Sequence, residues 1–372
     1  TIARMMPPPH SAGEPISEGL YAFEVAPLED QEPVRCLVQL PPEYDPLRPY
    51  PVVVSLHAAW TTPEQQIDWW AGMPGPTGTR LGQATRHGMI VVAPQWASPK
   101  QATYGFTASE HAAVLACLRE ACRRFAIDTD RVFLSGHSMG GDAAWDMALA
   151  HPDLWAGLVL IAPTSDRYVQ HYWENGRDLP IYVVGGELDV GRLDANAMDF
   201  DRYLRKSFDM TYVEYLGRGH ENFSDEILRI MDWMGRQQRT FFPKEFAAVS
   251  MRPWDRFYWW VEFAGLPSRT MLMPAQWPPG SGYRSATIEA RLTPGNTISV
   301  RSGSARTIVW LSPELVDFTK SLTVTIDGQR AFRGVPQSDL WTLLEDLRLR
   351  ADRQHPFWQA VDTSAEPATG RR

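Results

Sequence analysis

Gly136-His137-Ser138-Met139-Gly140 sets a serine between two glycines, directly after the apolar run 131–135 and directly before the small-residue stretch 141–150. A serine on a sharp strand-to-helix turn points its oxygen away from the sheet. The first N–H groups of the helix then face whatever carbon that oxygen attacks. A side chain at either glycine would collide where strand and helix close around the turn. A serine hydroxyl is a poor nucleophile, so it needs a base that takes its proton and returns it to the leaving group. Histidine suits that task, and a carboxylate must fix its tautomer. In a sheet of alternating strands and helices the three arrive in the order Ser, acid, His, each after a strand.

The acid is expected after the strand 179–185, in Gly185-Gly186-Glu187-Leu188-Asp189. Asp189 is favoured, because the paired glycines allow a tight exit that leaves it above the sheet edge. Glu187 and Asp194 compete with it, and Asp189 could instead cap a helix beginning near Asp194. The histidine is expected after the last strand of the series, in Gly217-Arg218-Gly219-His220, on a loop ahead of the final helix. His137 adjoins the serine in sequence but is read as a structural residue lying back under the turn. The developing oxyanion needs donors. One is the N–H of Met139, and the other comes from His57-Ala58-Ala59-Trp60, with Ala59 favoured and Trp60 next. Helical H-x-x-x-H pairs and cysteine pairs at metal-ligand spacing are lacking, so neither metal nor cofactor is expected.

These residues require a scaffold. Apolar strand-like runs at 20–26, 34–40, 50–57, 89–93, 131–135, 157–162, 179–185 and 210–216 alternate, after the first pair, with helical stretches at 109–125, 141–151, 194–208 and 225–239. That grammar is α/β: a doubly wound, mostly parallel eight-stranded sheet, opened by an antiparallel pair and carrying reactive groups at the carboxyl ends of its strands. The catalytic domain is placed at 16–243. Beyond it, short strands with turn signals such as Pro294-Gly295-Asn296 and Asp327-Gly328 give a smaller β-rich, sandwich-like domain over 244–361, with a helix at 338–353. Residues 1–15 are expected to be loose and 362–372 to form a disordered tail.

The 372 residues carry 36 Lys and Arg against 44 Asp and Glu, a formal net charge of −8, which offers no general attraction for nucleic acid. Apolar runs of membrane-spanning length are absent, so no membrane span is expected. Three cysteines cannot build a disulfide framework, and Cys117 and Cys122, five apart on one helix, are expected on different faces. The chain opens on Thr1 rather than Met, which leaves room for a removed export signal, so the compartment stays open between secreted or periplasmic and cytoplasmic. Oligomeric state is not legible.

Leu40-Pro41-Pro42-Glu43-Tyr44-Asp45, the strand 50–57 ending in His57, Gly-His-Ser-Met-Gly-Gly at 136–141, Asp189 and His220 together resemble the α/β-hydrolase superfamily over about 20–239. The flavour is that of the esterase and prolyl-oligopeptidase-like branch, with its feruloyl-esterase-like and polyhydroxyalkanoate-depolymerase-like members. The resemblance implies Ser138 as nucleophile, Asp189 as acid, His220 as base and Met139 as an oxyanion donor. One departure is that these enzymes usually end the strand before the oxyanion loop in His-Gly, whereas His57-Ala58-Ala59 stands here. The expected activity is cleavage of small-molecule or polymer-linked carboxylic esters through an acyl-enzyme. The alternatives are a serine peptidase and a catalytically idle fold used for binding. Segments 61–82 and 164–178 are candidate pocket walls, and Trp60, Trp96, Tyr104 and Trp173 are candidate substrate contacts, set against the alternative that these aromatics simply pack. The run 254–263, apolar on both faces when read as one strand, favours burial between the two domains over an exposed platform.

Overall fold

A computed structural model of the protein describes residues 19–28 and 31–363. Its described residues form two compact units, one of 19–149 with 154–239 and the other of 150–153 with 240–363.

The first unit holds strands β1 (Leu20–Val25), β2 (Val34–Gln39), β3 (Tyr50–Leu56), β4 (Ile90–Pro94), β5 (Ile127–His137), β6 (Gly157–Ile161), β7 (Ile181–Gly186) and β8 (Met210–Tyr215). Its helices are α1 (Pro63–Ala71), α2 (Gln83–Arg86), α3 (Ala108–Arg124), α4 (Met139–Ala150), α5 (Val169–Tyr172), α6 (Val190–Arg205) and α7 (Ile227–Met234). The strands form one sheet in the order β1-β2-β4-β3-β5-β6-β7-β8. β2 pairs antiparallel with both β1 and β4, and every other pairing is parallel. This is the α/β-hydrolase fold. β3, β4, β6 and β7 are buried along their whole length, as strands covered on both faces by helices must be. The edge strand β1 alternates instead. The parallel register sends β3, β5, β7 and β8 to the same edge of the sheet, where their carboxyl ends release the loops that matter here.

The final helix is shorter than expected: a 3₁₀ turn (Ser224–Glu226) precedes α7, which stops at Met234. Among the described residues no helix is long and apolar enough to cross a membrane. The three cysteines are all buried, Cys117 and Cys122 included, so the helix α3 hides both despite their different angular positions.

The second unit contains β9 (Glu245–Ser250), β10 (Phe257–Tyr258), β11 (Val261–Ala264), β12 (Ala286–Thr293), β13 (Thr297–Arg301), β14 (Arg306–Leu311), β15 (Leu322–Ile326), β16 (Gln329–Gly334), α8 (Leu340–Arg350) and β17 (Gln359–Asp362). They make a four-stranded sheet, β10-β11-β14-β17, and a five-stranded sheet, β16-β15-β13-β12-β9. Ile288, Ile298 and Val324 of one sheet and Val261, Val309 and Val361 of the other share a single apolar core. The run 254–263 is not one strand. Trp259 takes a left-handed backbone (φ 54°), which turns the chain between β10 and β11 into a tight antiparallel hairpin. Trp259 and Trp260 are buried in the core of this unit. Two residues of the expected tail belong to this unit's strands and bonds. Asp362 ends β17, where it pairs with Ile308, and the Thr363 N–H donates to the Thr307 carbonyl. The rest of the expected tail, 364–372, and the loose segment 1–15 lie outside the described residues.

Candidate active site

β5 delivers its last residue, His137, to the sheet edge, and α4 starts at Met139. Ser138 between them has φ 54°, a left-handed backbone that an L-residue adopts only when its surroundings enforce it. The enforcement is visible. The Ser138 N–H donates to the Ile161 carbonyl of β6 (2.9 Å), while the Ser138 carbonyl accepts the first helical bond from Asp142 (2.9 Å). The glycines are required by close approach. A Cβ on Gly136 would stand 2.0 Å from the Gly140 carbonyl oxygen, and one on Gly140 would stand 2.2 Å from the Leu56 oxygen of β3.

The structure brings Ser138, His220 and Asp189 into one hydrogen-bonded series. Ser138 Oγ lies 2.8 Å from His220 Nε2, and His220 Nδ1 lies 2.7 Å from Asp189 Oδ2. The carboxylate only accepts, so Nδ1 carries the proton and the serine hydroxyl donates to Nε2. Asp189 does stand at the N-terminal cap of a helix, because α6 begins at Val190, earlier than the sequence suggests. Yet its side chain makes no capping bond and goes to His220 instead. The competitor Glu187 is committed elsewhere, accepting from the Gly217 N–H at 2.7 Å. Asp194, the other competitor, falls within α6 and is exposed.

The loop carrying His220 is fastened from several sides. Leu188 N–H donates to the Arg218 carbonyl (2.8 Å), and Gly186 leaves no room for a Cβ, which would sit 2.4 Å from the Arg218 and Gly219 oxygens. Arg218 bonds Glu221 and Asp225 and lies over the rings of Tyr215 and Phe223. Trp69 Nε1–H donates to the Asn222 carbonyl at 3.1 Å, which gives α1 a part in holding the loop.

His137 is more involved than its place under the turn suggested. Its ring stacks on that of His220, with centroids 5.5 Å apart, and its Nε2 bonds the Glu221 carbonyl at 3.1 Å. Burial, reinforced by the neighbouring His220, lowers His137 to about 4. It therefore stays a neutral donor at neutral pH. The unfolded chain binds this proton below a pH of about 6.5 while the folded chain refuses it down to about 4. Stability thus falls as pH drops through that window. His137→Gln keeps an N–H for Glu221 but cannot titrate. Urea melts should show the variant costing less stability, relative to the parent, at a pH of about 4.5 than at about 7.5. An equal cost at both values contradicts this assignment.

On the other side of the serine, His57 is buried, with Nδ1 on the Ala58 carbonyl and Nε2 on Gln95. The positive φ in this loop is taken by Trp60 (63°), not by Ala58 or Ala59, and the Trp60 side chain is 71 % exposed. So the loop turns without the glycine that usually follows the histidine. Met139 is the first residue of α4, so its N–H has no partner within the helix.

Two of the expected substrate contacts lie inside the fold. Trp96 is buried and donates its indole N–H to the His57 carbonyl (3.3 Å), while Tyr104 is buried with its hydroxyl on Asp146 (2.7 Å) and His111 (2.8 Å). Trp173 is half-buried and stacks on Phe208. In the two expected walls, Trp70, Tyr168 and Tyr172 are fully buried as well.

The residue that sequence reasoning missed is Arg192. Its Nη2 lies 3.2 Å from Ser138 Oγ, and its Nη1 reaches Asp142 Oδ1 (2.9 Å), the Ala162 carbonyl (2.9 Å) and Thr164 Oγ1 (2.7 Å). Its Nε stands 3.9 Å from Asp189 Oδ2. The signal that could have found it is the spacing of Asp189 and Arg192, three apart on a helix begun at Val190. Burial pushes the Asp142 carboxyl up to about 6, although Arg192 and the Thr164 N–H oppose the rise.

Residues 77–182 match a family model of the alpha/beta hydrolase fold. The chain is 27 % identical over 156 residues to Cutinase 2 of Thermobifida cellulosilytica, covering 40 % of this chain and 58 % of that protein. It is 28 % identical over 158 residues to Cutinase est1 of Thermobifida alba, covering 40 % and 51 %. Across these relatives the chain spans about half of their length. Among solved structures, a thermostable esterase aligns with a TM-score of 0.49 and 22 % identity over 59 % of this chain and 63 % of that one. Sheet topology and family-model match give the chain an α/β-hydrolase fold, and over part of its length it is similar to proteins named cutinases.

Proposed function

We propose that the protein is a serine hydrolase that cleaves carboxylic esters through an acyl-enzyme, with 16–243 as its catalytic domain and 244–361 as an accessory domain. The observation that carries this reading is the unbroken series Ser138 Oγ, His220 Nε2 and Nδ1, Asp189 Oδ2, at 2.8 and 2.7 Å. His220 takes the hydroxyl proton as Ser138 Oγ bonds to the carbonyl carbon. Asp189 stabilises the imidazolium that forms. The tetrahedral oxyanion is met by the N–H of Met139 and by the N–H of Ala59. When the C–O bond to the alcohol breaks, His220 returns its proton to the leaving oxygen. Water then repeats the sequence: His220 removes its proton, the hydroxide adds to the acyl carbon, and the proton passes to Ser138 Oγ as the acid departs. Trp60, exposed on the oxyanion loop, is the pocket residue that this reading retains at the mouth of the site. The likeness to proteins named cutinases supports an ester, small or polymer-linked, as substrate.

The test is a panel of p-nitrophenyl, feruloyl, acetyl-sugar and polyester substrates run beside peptide amides. Turnover of esters without turnover of amides is expected. Amide cleavage at comparable efficiency would replace the reading with a peptidase, and inertness towards the whole panel would replace it with a binding role.

A further inference from the structure

An alcohol that must surrender its proton is held here by more than an imidazole. The Ser138 hydroxyl donates to His220, so a lone pair of Oγ is free to accept, and Arg192 Nη2 stands 3.2 Å from it. The guanidinium is not loosely placed. Three acceptors from three different segments hold Nη1: Asp142 in the first turn of α4, the Ala162 carbonyl just past β6, and the Thr164 hydroxyl. Fixing one nitrogen of a planar, rigid fork fixes the others, so the donor aimed at Oγ is set before any substrate arrives.

We propose that Arg192 is a further catalytic residue, which donates through Nη2 to the Ser138 oxygen and stabilises the negative charge that grows there as the proton leaves for His220. This rests on the hydrolase reading above. In the step itself the O–H bond of Ser138 breaks, its proton goes to His220 Nε2, the freed electron pair forms the bond to the acyl carbon, and the π pair of the ester C=O bond moves onto the carbonyl oxygen. Arg192 keeps all its protons and acts only as donor and cation.

A cation beside a nucleophile also suggests a trap for an acidic substrate, but the surrounding charges argue against it. Asp142 lies at 2.9 Å and Asp189 at 3.9 Å, two carboxylates against one guanidinium. An incoming carboxylate would meet net negative charge. The geometry agrees, because Nη2 already faces the triad and Nη1 is fully engaged. A neutral ester therefore benefits from Arg192 as much as an acidic one.

The experiment compares the parent, Arg192→Met and Arg192→Lys on a neutral p-nitrophenyl ester, on an ester bearing a distal carboxylate, and in acylation by a neutral fluorophosphonate, with melting temperatures alongside. An active parent establishes the hydrolase reading independently of the variants. The Met variant should lose about 10- to 100-fold in kcat/KM on both esters and in fluorophosphonate acylation, with KM little changed. The Lys variant, which keeps the charge, should recover a clear part of that loss. Parent-like rates in the Met variant overturn the proposal. So does a loss confined to the acidic ester, which would make Arg192 an anion-binding residue. If the Met variant does not fold, a folded Lys variant decides the matter through its own comparison with Arg192→Gly in added guanidinium. Acylation raised by guanidinium in the Gly variant supports the donor role, and a folded Gly variant indifferent to guanidinium overturns it.

Discussion

Ser138→Ala lowers kcat on any ester the parent cleaves by about 10⁴–10⁶, with little change in melting temperature. The loss is expected to be large because the proposed mechanism makes the hydroxyl the atom that bonds to the acyl carbon, and nothing beside it can substitute. His137 is held in its own bond to Glu221, and Arg192 has no nucleophilic atom at neutral pH. The residual rate reflects whatever oxyanion donors and binding surface remain. The fold survives because the turn is set by backbone bonds, from Ser138 N–H to Ile161 and from Asp142 N–H to Ser138, which alanine keeps. Some strain persists, since alanine must also take a left-handed φ. A burst-free progress curve and an unchanged thermal melt, measured together, check both halves of the expectation.

Asp189→Asn should cost about 10⁴ in kcat while leaving substrate binding and the fold close to the parent. Asparagine preserves the shape of the side chain, but it can present an N–H where His220 Nδ1 needs an acceptor. The imidazole would then favour the tautomer with its proton on Nε2, facing Ser138 and unable to take another. The substitution also removes the negative charge that offsets the imidazolium. α6 does not depend on the lost group, because the Asp189 carboxylate makes no capping bond although it stands at the cap position. Arg192 Nε, 3.9 Å from that carboxylate, keeps its other partners through Nη1. Steady-state kinetics with circular dichroism distinguish this from unfolding: a rate within about 10-fold of the parent would remove Asp189 from the triad.

The parts legible in the sequence are those governed by local rules. Ser138 could be located because a strand, a pair of glycines and a small-residue helix must all be adjacent for such a turn to close, and adjacency is visible in one dimension. Asp189 and His220 could be located because each follows an apolar strand on a glycine-bearing loop. What escaped was set by tertiary structure. Arg192 was hidden because α6 begins at Val190, ahead of the apolar periodicity that marks its body, so Asp189 and Arg192 did not look like neighbours on a helix. The covering of the candidate pocket aromatics was not legible, because composition cannot say which ring is buried: Trp96 donates to the His57 carbonyl, and the Tyr104 hydroxyl bonds Asp146 and His111. The run 254–263 was misread as one strand because period-two alternation assumes extended backbone throughout, and a left-handed tryptophan in the middle breaks it.

The central claim is that Ser138 is an activated nucleophile, and covalent capture tests it most directly. The native protein is incubated with a fluorophosphonate, its intact mass is measured and the modified peptide is mapped, with His220→Ala treated in parallel. The predicted result is a single adduct on Ser138 that forms readily in the parent and far more slowly without the imidazole. A folded parent that stays unlabelled, or carries its label on another residue, would contradict the account.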